Sequence, residues 1–135
     1  MYLLDSCAVS DFMKGEAGTL KKIKALNPAQ IYTTTITEYE VYYGLLRKFE
    51  AAHKYFKIFE DFRQAITILP FDKAAVKETA LLRVKLQAQG EPIGPYDFLI
   101  AGIALSQKAI LVTSNVKEFQ RVGPRLVIEN WRRDL

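Results

Sequence analysis

Five polar residues stand at the ends of apolar runs in this sequence. Asp5 closes MYLLD, Glu40 lies in ITEYEVYYGL, Asp97 opens DFLIAGIAL, and Asn115 and Glu118 follow ILVT in VTSNVKEF. Charged groups beside buried elements call for a compensating partner. Carboxylates drawn together repel, and each raises its neighbours' pKa values unless a cation sits among them. Such hard oxygen donors suit Mg²⁺ or Mn²⁺. The single histidine, His53, and the single cysteine, Cys7, offer no zinc pattern and no intrachain disulfide. They also exclude a two-histidine acid/base ribonuclease within one chain. His53 sits in the charged amphipathic segment EAAHKYFKIF and reads as a surface residue.

Each of the five also has a plain structural role open to it. Asp5 can cap the helix that follows, and Glu40 can be the capping-box partner of Thr37. Asp97 can satisfy free N–H groups and the dipole at a helix start, and Asn115 can cap a helical turn.

The elements that must position these residues follow from periodicity. MYLLD reads as a first strand, Ser6 to Met13 as a short helix and Ala17 to Leu26 as a second. IYTTT (31–35) is rich in β-branched and aromatic residues and reads as a strand. Thr37 is the expected N-cap of a helix running to about Phe49, and Ala51 to Ala65 form another. TILPF (67–71) is a strand, and Asp72 caps a helix of about Lys73 to Gln89 with Ala75, Val76, Ala80, Leu81 and Val84 inward. GEPIGP (90–95) breaks the chain before the apolar helix Tyr96 to Gln107, in which Gly102 is expected to allow close packing on the sheet. AILVT (109–113) lacks alternation, as a central parallel strand does. Asn115 to Phe119 is a helical turn and RLVIEN (125–130) a last strand.

Strands alternating with helices imply an α/β domain with a mainly parallel sheet of four to five strands. Sites in such sheets form outside the carboxyl ends of the strands. Helix N-termini gather at the same edge. Asp5, Glu40, Asp97 and the Asn115/Glu118 turn therefore converge there from four distant segments. Gly44, one helical turn after Glu40, is a candidate point of close approach for backbone or substrate. Glu38, Asp11, Glu16, Glu60, Asp61 and Glu78 are expected away from this rim.

Length and composition fit one domain, residues 1–135. Half of the residues are apolar and a quarter charged, as in ordinary globular proteins. No apolar run reaches the roughly 18 residues that span a membrane, and MYLLDSC lacks the basic start of a signal peptide. A lone thiol fits a reducing, cytoplasmic setting. The net charge of +4 is compatible with a polyanionic partner, although the lysines and arginines are scattered.

Four ordered segments, LLDSC, ITEYEVYYGL, GPYDFLIAGIA and LVTSNVKEF, resemble the PIN-domain family, and within it the VapC-type toxins of toxin–antitoxin pairs. The resemblance spans essentially the whole chain. It implies a three-layer α/β/α sandwich and a Mg²⁺- or Mn²⁺-dependent endoribonuclease, with tRNA or rRNA loops as candidate targets. Asp5, Glu40 and Asp97 match the family's three core acids. Ser6 matches the hydroxyl residue after the first acid, and Thr113 the threonine ending the fourth-motif strand. Many members carry aspartate near Asn115; here the acid is Glu118. The resemblance also implies a VapB-type antitoxin and a toxin homodimer. The antitoxin would lie in a groove among Tyr39, Tyr42, Tyr43, Phe49, Tyr55, Phe56, Phe59 and Phe62, of which core packing claims the larger part.

Two other classes compete. A phospho-acceptor receiver domain would need an acidic pair after the first strand and a lysine after the last. Asp5 is followed by Ser6 and Cys7, and no lysine follows RLVIEN. A PIN-like module that binds RNA or protein without cleaving is the alternative, and a DNA-directed nuclease is a variant of the enzyme reading.

Overall fold

The computed structural model describes residues 1–132, with the backbone alone at Phe49. Among the described residues the strands are β1 (Tyr2–Leu4), β2 (Ile31–Thr34), β3 (Thr67–Leu69), β4 (Ile110–Val112) and β5 (Ile128–Glu129). The α-helices are α1 (Ser6–Met13), α2 (Ala17–Ala25), α3 (Thr35–Arg47), α4 (Phe49–Ala65), α5 (Lys73–Ala88), α6 (Pro95–Gln107) and α7 (Val116–Phe119). The strands form one sheet in the order β3-β2-β1-β4-β5, and every pairing is parallel.

The period of two along the strands sorts the core onto two faces. Leu3 and Leu111 face one side and pack with α5, α6 and the α7 turn. Leu4 and Val112 face the other and pack with α1, α3, α4 and Trp131. The result is the expected three-layer α/β/α sandwich. Because β1 lies between β2 and β4, the chain leaves it toward β2 and β3 and later crosses to β4 and β5. This reversal marks the carboxyl ends of β1 and β4 as the crevice edge at which open α/β sheets bind ligands. Asp5 follows β1 directly, and its backbone N–H donates to the Val112 carbonyl at 3.1 Å, tying the two strand ends together.

Several local expectations shift. The β-branched run 31–35 does not stay extended. Thr34 is the N-cap, its hydroxyl accepting the Thr37 N–H at 3.0 Å, so α3 starts at Thr35. Thr37 is buried inside the first turn, and Glu40 is not a capping-box partner. In α5 the buried face is Ala75, Thr79, Leu82 and Leu86, whereas Val76, Leu81 and Val84 are exposed. The helix carries two apolar stripes, and the buried one places Ala75 and Thr79 against Gly102 of α6. A Cβ at Gly102 would lie 1.7 Å from Thr79 Oγ1, so this glycine serves the contact with α5. Asp72 caps α5 as expected, accepting the Ala75 N–H at 3.0 Å. Asp72→Ala should lower stability by about 1 kcal/mol in a urea titration without altering the fold.

Candidate active site

Asp5 is 3% exposed and accepts the Ala8 N–H at 2.9 Å, so it does cap α1. Capping leaves its second oxygen for other work. Burial raises the Asp5 carboxyl to about 6; bonds from Thr113 and Ala8 oppose the rise, and the charges of Glu40 and Asp11 add to it. Glu40 projects from the second turn of α3 and accepts the Ser6 hydroxyl at 2.5 Å. One bond thus joins the start of α1 to α3 and aims Glu40 at the end of β1.

Asp97 lies in the first turn of α6, half-buried. Its carboxyl is raised to about 7 by burial, then by a hydrogen bond with Glu118, then by the charges of Glu118, Asp5 and Glu40. The charges of Glu118, Asp5 and Glu40 are thus all felt at Asp97. The cause is the topology: two strand ends and two helix starts share the crevice.

Asn115 does not cap α7. Its side-chain amide donates to Glu118 Oε2, and its backbone N–H donates to the Thr113 hydroxyl at 2.9 Å. Glu118 Oε1 accepts the Gly94 N–H at 2.8 Å. Both Glu118 oxygens are thus engaged, and the residue links α7 to the loop before α6. The Arg121 guanidinium reinforces this link by donating to the Pro92 carbonyl at 2.9 Å.

A Cβ at Gly94 would lie 3.0 Å from Asp97 Oδ2, a tight contact that the carboxylate would have to yield to. Gly94→Ala should therefore displace the Asp97 carboxylate. We expect activity to fall about tenfold while the far-ultraviolet circular dichroism stays native, because the backbone angles at this position suit alanine. Equal activity in the two proteins would show that Asp97 is not held by this contact.

Two acids fall elsewhere than the sequence implies. Asp11 is 8% exposed, takes a two-pronged ion pair from Arg132 at 2.8 Å, and its charge reaches Asp5. No periodicity marks this pair, because its members are separated by almost the whole chain. Glu38 is not free surface either: it accepts from Arg63 of α4 at 2.7 and 2.9 Å. No other segment among the described residues comes close to Gly44, where a Cβ would meet nothing within 4 Å, so the expected approach of backbone is not found there.

Gly44 instead lines an open cleft of about 520 Å³ between α1, α3 and α4. Ser6 and Glu40 form its acid-site end, and Leu45, Ala52 and Tyr55 its apolar wall. Of the aromatics expected here, Phe59 and Phe62 are buried, Tyr42, Tyr55 and Phe56 are half-buried, and Tyr39 and Tyr43 are exposed. The Phe49 side chain lies outside the described residues.

The carboxylates of Asp5, Glu40, Asp97 and Glu118 offer oxygen donors, which suit a hard divalent cation; the Cys7 thiol also feels the charges of Asp5 and Asp97. Among the described residues, no three His, Cys, Asp or Glu side chains already stand in a geometry that could hold a metal ion. Glu40 is instead bonded by Ser6, Glu118 by Asn115 and the Gly94 N–H, and Asp5 by the Ala8 N–H.

The chain matches the PIN domain over residues 2–123. It is 33% identical over 130 residues to a tRNA(fMet)-specific endonuclease VapC of Shigella flexneri, covering 96% of this chain and 97% of that protein. The fold aligns with DNA-bound VapBC of Salmonella typhimurium at a TM-score of 0.86 and 32% identity, over 96% of this chain and 97% of the other. VapBC2 of Rickettsia felis, bound to a promoter DNA fragment, aligns at 0.84 and 30% identity over 96% and 98%. A family match over most of the chain, relatives above 30% identity along nearly their whole length and a shared fold leave one assignment: the chain belongs to the PIN-domain family and is of its VapC type.

Proposed function

We propose that this protein is a metal-dependent endoribonuclease and the toxin of a toxin–antitoxin pair. The observation that carries this reading is the cluster of Asp5, Glu40, Asp97 and Glu118 charges at the switch point of the sheet, with two carboxyls raised toward neutrality. Such like-charge crowding disfavours the ionised site unless a cation offsets it. The VapC relatives are named as ribonucleases or endonucleases, which supports the same class.

Asp5, Glu40 and Asp97 would hold Mg²⁺, with Mn²⁺ as a substitute. When bound, the ion would supply a polarised phosphate oxygen and a water of lowered pKa. The chain does the positioning. Ser6 fixes the Glu40 carboxylate, and Thr113 bonds Asp5 at the strand end. Asn115 and Glu118 hold the loop that begins α6 and so set the direction of Asp97. The expected products carry a 5′-phosphate and a 3′-hydroxyl. Scattered lysines and arginines would contact backbone phosphates, making binding salt-dependent.

The cleft beside Glu40 is the seat we assign to a VapB-type antitoxin segment. It has an apolar wall for a partner helix and ends at the acids, where a basic side chain would be attracted. The exposed Val76, Leu81 and Val84 face of α5 offers a surface that a second copy would cover in a homodimer. Among the described residues no helix is long and apolar enough to cross a membrane, and we place the activity in the cytoplasm with its RNA.

The test is cleavage of cellular RNA by purified protein with Mg²⁺, with EDTA, and with Asp5→Asn. Cleavage should require the metal and vanish in the variant, and only the wild type should arrest growth when overexpressed. Undiminished cleavage by Asp5→Asn would end this reading. RNA binding without cleavage under any metal would favour the non-catalytic module. Sequencing of the cut ends identifies the target.

A further inference from the structure

The rim of the acid site carries an exposed aromatic row. Tyr39, Tyr43 and Tyr96 are 53%, 56% and 43% exposed. Tyr39 immediately precedes Glu40 in the second turn of α3, and Tyr96 immediately precedes Asp97 in the first turn of α6, so each site carboxylate has a tyrosine beside it in sequence. The two rings meet edge to face at 5.7 Å. Tyr43, one turn further along α3, stacks on Tyr39 at 6.4 Å with 26° between the planes. The Arg47 guanidinium closes the row, 5.4 Å from the Tyr43 ring centre.

We propose that Tyr96, Tyr39, Tyr43 and Arg47 form a stacking track that holds unpaired RNA bases beside the acid site. The proposal rests on the ribonuclease reading above for its ligand. Three observations favour RNA as the occupant. The row is continuous with the acids, so a strand lying on it delivers its backbone to them. It ends on Arg47, with Lys48 next, which complements phosphate. Its members are planar and amphipathic, and sequence-tolerant base stacking uses such faces together with arginine planes. From Tyr39 to Arg47 the helix rises about 12 Å, room for roughly two or three bases.

An ordinary core role does not explain these rings, because the neighbouring Phe59 and Phe62 are buried while these three tyrosines face outward. Leu46, also exposed, extends the face toward the helix end. A second copy of the chain is the competing occupant, and it is separated by mass.

The experiment measures fluorescence anisotropy of a short single-stranded RNA on the full chain in Mg²⁺, with Asp5→Asn in every arm to prevent cleavage. Tyr39→Ala with Tyr43→Ala should weaken binding at least about tenfold. The paired phenylalanine substitutions keep the ring faces and should stay within about twofold. Light scattering on each protein should give an unchanged mass. Unchanged affinity in the alanine pair would overturn the track, as would a drop in mass that accompanies the loss. The otherwise wild-type enzyme is assayed alongside. Cleavage by that enzyme with tyrosine-independent binding defeats the track alone, and tyrosine-dependent binding without cleavage defeats the nuclease reading alone.

Discussion

Asp97→Asn should abolish RNA cleavage and, without divalent metal, make the protein more stable. The two effects have one cause. Asp97 is half-buried, shares a hydrogen bond with Glu118 and feels the charges of Glu118, Asp5 and Glu40, which together bring its carboxyl to about 7. The unfolded chain releases that proton near 3.8. Between these values the folded protein holds a proton that the unfolded chain has lost, so stability falls as pH rises from about 4 to about 7. Asp5, raised to about 6, contributes in the same direction over the lower part of that window. Asparagine cannot ionise and removes the Asp97 part of the slope. Discounted for its partial exposure, the gain at pH 7.5 should be about 1 kcal/mol, or roughly 4 °C in Tm. Mg²⁺ should raise the Tm of the wild type and leave the variant nearly unmoved. Loss of a metal-holding acid should lower cleavage at least roughly a thousandfold, equivalent to about 4 kcal/mol in the barrier. Melts at pH 5 and 7.5, with and without Mg²⁺, decide the matter. A variant no more stable than wild type, with equal Mg²⁺ shifts in both, would remove Asp97 from the cation site.

The architecture was legible because it rests on long, strongly patterned segments. The apolar run 98–105 is long enough to read as a buried helix, and the short unalternating run of β4, rich in β-branched residues, reads as a covered strand. The acids could then be placed by topology, since strand ends and helix starts share an edge whatever the loops do. Finer matters depended on distance. Thr34 and Thr37 are both good caps by type, and only the register of β2 against β1 and β3 decides between them. The inward face of α5 was open for a similar reason: two stripes satisfy the helical period, and the buried one is the stripe that meets a glycine on the next helix. Asp11 with Arg132, and Glu118 with Gly94, are contacts between remote segments that no local pattern announces.

Gly102 is where the mount of Asp97 is most sensitive. Helices α5 and α6 have the most extensive contact of any pair of elements. At their crossing a Cβ on residue 102 would lie 1.7 Å from Thr79 Oγ1, 2.9 Å from Thr79 Cβ and 3.2 Å from the Ala75 carbonyl oxygen. Rotating Thr79 moves its hydroxyl but not its Cβ, and the backbone carbonyl cannot yield without moving the helix. Gly102→Ala must therefore push the helices apart. Overpacking of this kind costs up to about 3 kcal/mol, and alanine returns about 1 through its better helix propensity. The net loss should be about 2 kcal/mol, roughly 8 °C in Tm, and Gly102→Val should prevent folding. Thr79 provides the control. Its hydroxyl is buried without a hydrogen-bond partner among the described residues, so Thr79→Ala alone should be nearly neutral. In the double variant the closest contact, with Oγ1, disappears, while the Cβ of residue 79 and the Ala75 carbonyl remain. Part of the lost stability should therefore return, as a favourable coupling of about 1 kcal/mol in a double-mutant cycle. Additive losses would mean that the Thr79 hydroxyl is not the obstacle. Because α6 carries Asp97 in its first turn, the alanine variant should also lose activity in proportion to the helix shift, and the double variant should regain part of it.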